Sequence, residues 1–256
     1  MEILTEETYL SGTVFSLLLA PAYPIIVELL FYCLFGMALY ATNLRYGRRV
    51  TQLLLLGAVI YTVAIENFIV LNGGYDYYSY ANPTSHFLGY LAWLGVVPLW
   101  IILGWFIMTA TSYILTDTLL PRASSYIRAL LAALISLNID LLLDPVAVST
   151  GLWRWTHPSV YVLGVPLTNL IGWPLIVYFF VLAFDTTVMR KLALGQTLTV
   201  PKFEWKPVLK LFLTRLLMMA PIVIIGTFLV LVLLIPYSNV SGPFNNVFPA
   251  PGKWWW

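Results

Sequence analysis

Asp140-Leu-Leu-Leu-Asp144-Pro145 closes an apolar run that begins near residue 124, and the reading of that run decides the fold. A helix needs about 20 apolar residues to cross a bilayer, and 124–144 supplies that length. An α-helix turns once in about 3.6 residues, so acids four apart stack on one face. A carboxyl in the middle of a spanning helix costs about 2.5–3.5 kcal/mol and points to pairing or chemistry by default. The aromatic stretch Gly151-Leu-Trp153-Arg-Trp155 follows. The next apolar run opens with Gly164-Val-Pro166-Leu-Thr-Asn169 and continues through Gly172-Trp173.

Working outward, the same pattern recurs. Apolar runs at 25–43, 51–71, 91–116, 124–144, 166–184 and 211–235 each have spanning length. Asn72-Gly73-Gly74 ends the second, Pro145 the fourth and Pro236 the sixth. Pro166 suits the first turn of the fifth. The 256 residues are 61% hydrophobic and 9% charged, whereas a soluble domain carries about 25% charge. The expected fold is an all-α, polytopic integral membrane helix bundle with about six transmembrane helices. Residues 1–24 form an expected N-terminal interfacial segment, 25–236 the bundle, and 237–256 a tail whose Trp254, Trp255 and Trp256 anchor at a headgroup layer. Residues 1–8 carry Glu2, Glu6 and Glu7 without a base, unlike the start of a signal peptide.

Charge sets the expected orientation. Of the 13 Lys and Arg, all but Arg154 and Lys253 fall on one side of a six-span chain. The positive-inside rule then places both termini outside the cytoplasm, in the cell membrane. A net charge of +2 without a basic patch excludes nucleic acid as a partner. One cysteine, Cys33, forms no intrachain disulfide. Two histidines, His86 and His157, are too few for a membrane di-iron site and lack metal-ligand spacing. The apolar cores hold no lysine for a retinal. Nucleotide, flavin and haem motifs are absent, so neither cofactor nor metal is expected.

That orientation sends the embedded polar groups to one half of the bilayer. Glu28 opens the first span, Glu66 and Asn67 close the second, Asp140 and Asp144 close the fourth, and Asn169 opens the fifth. Tyr75, Asp76, Tyr77, Tyr78, Tyr80, His86, Trp153, Arg154, Trp155 and His157 lie in loops on the same side. An acidic, aromatic-rimmed pocket opening outward is the expectation. Glu28 reads as structural. Asp117 and Asp185 stand at the opposite ends, within reach of solvent. Ser136 shares the face of Asp140 and Asp144, and a lone serine reads as packing.

Asp140-x-x-x-Asp144-Pro145, Gly151-x-Trp153-x-Trp155 and Gly164-Val-Pro166-x-x-Asn169-x-x-Gly172-Trp173 resemble the signature of a family of membrane carotenoid-biosynthesis proteins. Its members include carotenoid 1′,2′-hydratases of cyanobacteria and bisanhydrobacterioruberin hydratases of halophilic archaea. Glu66 and Gly74-x-x-Tyr77 resemble its earlier motif, so the likeness covers roughly 60–180. The resemblance implies hydration of an isolated C=C of a linear or monocyclic carotenoid. Asp140 is then the protonated donor, and Asp144 or Glu66 orients and deprotonates the water. Trp153, Trp155 and Trp173 offer π-faces to the cation; Asn169 and Tyr77 join them around the substrate. The implied partners are a polyisoprenoid and the lipid bilayer.

Two other classes fit parts of the pattern. A non-catalytic subunit could hold a carotenoid, quinone or lipid against its aromatic residues. A proton-coupled transporter could use Asp140, but inverted repeats and midplane breaks are its marks, and no repeat relates spans one to three with four to six.

Overall fold

A computed structural model describes residues 23–72, 74–77, 90–149, 152–155, 161–162, 165–190 and 204–238. The N-terminal segment before residue 23, Tyr78, Tyr80, His86, His157, residues 191–203 and the tail from 239 lie outside the described residues.

Among the described residues, six helices are long and apolar enough to cross a membrane. In chain order they are α1 (Tyr23–Tyr46), α2 (Arg48–Leu71), α3 (Leu99–Leu119), α4 (Ser125–Ser149), α5 (Leu167–Phe184, extended by a π-helical turn over Asp185–Met189) and α6 (Trp205–Ser238). Among the described residues, three two-residue pairings join the loops: β1 (Tyr75–Asp76) with β4 (Arg154–Trp155), β2 (Trp93–Leu94) with β3 (Val97–Pro98), and β5 (Tyr161–Val162) with β6 (Val165–Pro166), all antiparallel.

Several helix ends differ from the expectation. Residues 91–98 are not helical: Gly95 takes a positive φ of 74° and turns β2 into β3. Asn67 secures that turn by accepting Val96 N–H at 2.8 Å and donating to Leu94 O at 3.2 Å. Neither Pro145 nor Pro236 ends its helix. Proline removes one intrahelical hydrogen bond; past Pro145, Ala147 and Val148 are packed in an apolar cluster that offsets that loss. Helix α6 also begins earlier than expected, at Trp205.

Helix α3 is central, touching α1, α2, α4 and α5, while α6 packs on α2 and α5. Gly57 makes the α2–α6 crossing close, since a Cβ there would stand 2.3 Å from Cε1 of Phe212. Leu29, Leu30, Met37 and Tyr40 of α1 and Leu217, Met218 and Ile225 of α6 are exposed. Helices apolar on their outer surface suit a lipid surround.

The architecture contains a repeat, displaced by one helix from the halves compared above. Pro98-Leu-Trp-Ile-Ile-Leu-Gly104-Trp105 matches Pro166-Leu-Thr-Asn-Leu-Ile-Gly172-Trp173. The match continues without a gap to Asp117-Thr118 and Asp185-Thr186, and then to Arg122 and Arg190. A short hairpin precedes each helix. Upstream, Thr62-Val-Ala-Ile-Glu66 in α2 matches Ser136-Leu-Asn-Ile-Asp140 in α4. The repeated unit is thus α2–α3 and α4–α5, with α1 and α6 outside it. Equivalent segments pair antiparallel, Tyr75 opposite Trp155 and Asp76 opposite Arg154. Equivalent tryptophans, Trp105 and Trp173, stack with centroids 4.4 Å apart. Self-complementary contacts of this kind are what a local two-fold axis produces.

Candidate active site

The two repeats meet around three buried carboxyl groups. Asp140 and Asp144 of α4 are 0% exposed and Glu66 of α2 is 2% exposed. Asn169, in the first turn of α5, donates Nδ2–H to Asp144 Oδ2 at 2.5 Å and to Asp140 Oδ2 at 3.3 Å. Asp140 and Asp144 stand one turn apart on α4 and share the Asn169 amide.

Glu66 has different surroundings. Trp105 Nε1–H donates to its Oε1 at 2.5 Å, and Tyr77 O–H donates to its Oε2 at 3.2 Å. Both donors suit an acceptor-only carboxylate. Trp173 lies one helical turn beyond Asn169 and stacks on Trp105, so the stack joins the two acid groups.

Aromatic side chains roof this centre. Tyr77, Tyr90, Trp100 and Trp153 are buried with Val97, Val148 and Leu152. Tyr77 meets Trp153 edge-on at 6.3 Å, and Trp153 and Trp100 centroids are also 6.3 Å apart. Tyr90 O–H donates to Leu152 O at 2.6 Å. Trp155 is partly buried against the roof. Among the described residues the three acids are buried, where the sequence suggested a pocket opening outward. The packing of the aromatic loops buries a large apolar area, worth about 25 cal/mol per Å². The β1–β4 pairing ties the two loops together across the site.

All eight candidate residues thus gather at one end of the bundle. Asp140, Asp144, Glu66 and Asn169 form the polar centre, Trp173 lies beside it, and Tyr77, Trp153 and Trp155 belong to the roof. Trp105 and Trp100 were not among the candidates. The signal for Trp105 is its place in the repeat, equivalent to Trp173. Glu28 is structural, as expected. It accepts Leu91 N–H at 2.6 Å, Ala92 N–H at 3.3 Å and the Tyr32 hydroxyl, fixing α1 to the loop before α3.

The opposite end holds a separate ion cluster. Arg128 reaches Asp185 at 2.8 Å and Asp117 at 3.3 Å, and Arg45 reaches Asp117 at 3.1 Å. Tyr113 O–H donates to Asp185 at 2.5 Å. Asp185, expected within reach of solvent, has a wholly buried side chain. The Arg128 guanidinium compensates that burial, joining equivalent acids of the two repeats.

A sequence-family description, "Carotenoid biosynthesis protein", matches residues 25–237. The bisanhydrobacterioruberin hydratase of Haloarcula japonica is 33% identical over 136 residues, which cover 52% of this chain and 44% of that protein. The matched stretch thus spans less than half the length of that relative. No solved structure matches.

Proposed function

This chain belongs to the carotenoid biosynthesis protein family, and on that premise we propose that it adds water to a terminal C=C of a linear or monocyclic carotenoid. The observation that carries the reading is the meeting of three buried carboxyls from two repeats, two of them bridged by Asn169. An isolated trisubstituted alkene needs a strong acid close to one carbon and a base near the other. Asp140, in its acid form, gives its proton to the less substituted carbon. The π pair forms the new C–H bond and leaves a tertiary cation. Water attacks that cation through an oxygen lone pair and forms the C–O bond. Its surplus proton passes to Asp144, so the pair that lost one proton regains one, and the net change is addition of one water.

Glu66 faces this pair as a fixed negative charge that stabilises the developing cation. Trp105 and Tyr77 already engage its two oxygens, which favours Asp144 over Glu66 as the base that receives the proton. Trp173, Trp153 and Trp155 supply π-faces, each contributing about 0.5–2 kcal/mol to a nearby cation. The roof keeps bulk water from the cation, and a water-poor site strengthens each of these interactions. A bilayer core is about 30 Å thick, comparable to an extended carotenoid, so the end group of a spanning substrate reaches this end of the bundle. The charge distribution supports an extracytoplasmic position for that end, in the cytoplasmic membrane with both termini outside.

Expression in a cell that makes acyclic or monocyclic carotenoids tests the reading. Mass analysis of the extracted pigments is expected to show a gain of one water. Pigment that co-purifies with the protein but keeps its mass refutes turnover and leaves a binding role.

A further inference from the structure

The repeat shows where the two halves of the site have diverged. Glu66 and Asp140 are equivalent, as are Trp105 and Trp173. Three positions around the second acid differ from their counterparts in the first unit: Ser136 stands for Thr62, Asp144 for Val70 and Asn169 for Ile101. All three changes retain or add polar groups, and all three surround Asp140. The counterpart of Ser136 is satisfied within its own helix. Thr62 O–H donates to Ala58 O at 2.7 Å, one turn back. Thr42, Thr51, Thr109 and Thr186 do the same within their own helices.

Ser136 does not. Its Oγ is buried and has no partner among the described residues, although Ala132 O is available one turn back. Asp140 Oδ1 and Asp144 Oδ1 are likewise buried without a partner. Three such oxygens at i, i+4 and i+8 lie on one face of α4, spaced by about 5.4 Å of helix rise per turn. A side-chain oxygen pair at about that separation is bridged by one water with two ordinary hydrogen bonds of about 2.8 Å. Buried polar atoms without protein partners are where buried water binds, given two to four partners. Ser112 and Thr116 on α3 are also unpartnered, but neither stands one turn from an acid on its own helix.

We propose that Ser136, Asp140 and Asp144 form the binding site for the water molecule that is consumed in the reaction. The proposal rests on the hydratase reading and adds where its second substrate waits. Ser136 Oγ and Asp140 Oδ1, one turn apart, hold the water, with Asp144 one turn further on, and Asp140 protonates the alkene beside it. The water oxygen then forms the C–O bond, one of its O–H bonds breaks, and that proton returns to the Asp140–Asp144 pair. Ser136 contributes no proton of its own. It positions the water, so protonation of the alkene does not require it.

That division gives the test. Membranes holding the full chain, Ser136→Ala or Asp140→Asn are incubated with the carotenoid substrate in D₂O, and products are analysed by mass. With Ser136→Ala, hydrated product is expected to fall about tenfold, the cost of one lost hydrogen bond. Deuterium exchange into unreacted alkene, which reports cation formation and return, is expected to persist. Ser136→Val, which fills the space with methyl groups, is expected to lower hydration further while exchange continues. Full hydration by Ser136→Ala overturns the proposal, as does parallel loss of hydration and exchange at normal protein level. Asp140→Asn keeps the two claims apart. If it still hydrates, the acid assignment fails; if it is inert while Ser136→Ala is fully active, only the water site fails.

Discussion

Replacing Trp105 by Phe isolates the contact that defines the first half of the site. The substitution keeps an aromatic ring against Trp173, whose centroid lies 4.4 Å away. It removes the indole N–H that Glu66 Oε1 accepts at 2.5 Å. A hydrogen bond to a charged group contributes about 1.5–3 kcal/mol. Tyr77, at 3.2 Å from the other oxygen, remains as a weaker donor. In a protein of this size each kcal/mol moves the unfolding midpoint by about 2–4 °C, so Trp105→Phe is expected to lower it by about 3–12 °C. Product formation is expected to fall on the order of tenfold, because the carboxylate facing the cation loses its anchor. The decisive assay is a double-mutant cycle on thermal unfolding in detergent, with Glu66→Leu as second background. Once the acceptor is gone, Trp105→Phe should shift the midpoint by no more than about 2 °C. An equal drop in both backgrounds would show that Trp105 acts through packing alone, and the role given to its N–H would be wrong.

Two further substitutions address the scaffold rather than the chemistry. Arg128→Met leaves Asp185, whose side chain is wholly buried, without its cation; the expected cost is about 3–5 kcal/mol, seen as low accumulation and early melting. The double variant Arg128→Met/Asp185→Leu is expected to recover part of that loss, and product per folded molecule should stay near wild type. Gly57→Ala pushes a methyl to 2.3 Å from the Phe212 ring at the α2–α6 crossing; it should cost about 1–3 kcal/mol in detergent unfolding without changing turnover.

The helices and the site were legible for different reasons. Apolar runs of spanning length mark a bundle because the bilayer fixes the length of each element. The embedded acids were legible because charge in lipid is costly and therefore rare. Helix ends were harder. Pro145 and Pro236 read as stops, yet both helices run on past them. Residues 91–98 read as helix because they are apolar, and only Gly95 and its contact with Asn67 make them a hairpin. The Asp185–Arg128 pair was out of reach because a partner on another helix decides whether an acid is solvated. Trp105 was hidden for a related reason. In a chain with 10 tryptophans, one more in an apolar run carries no signal until the repeat sets it opposite Trp173.

The account depends most on a proton held by Asp140 in a buried, paired site. Asp140→Asn keeps the shape and removes the acid, so membranes carrying it should contain normal amounts of protein and form no hydrated carotenoid. Hydrated product at the wild-type level from that variant would contradict the account.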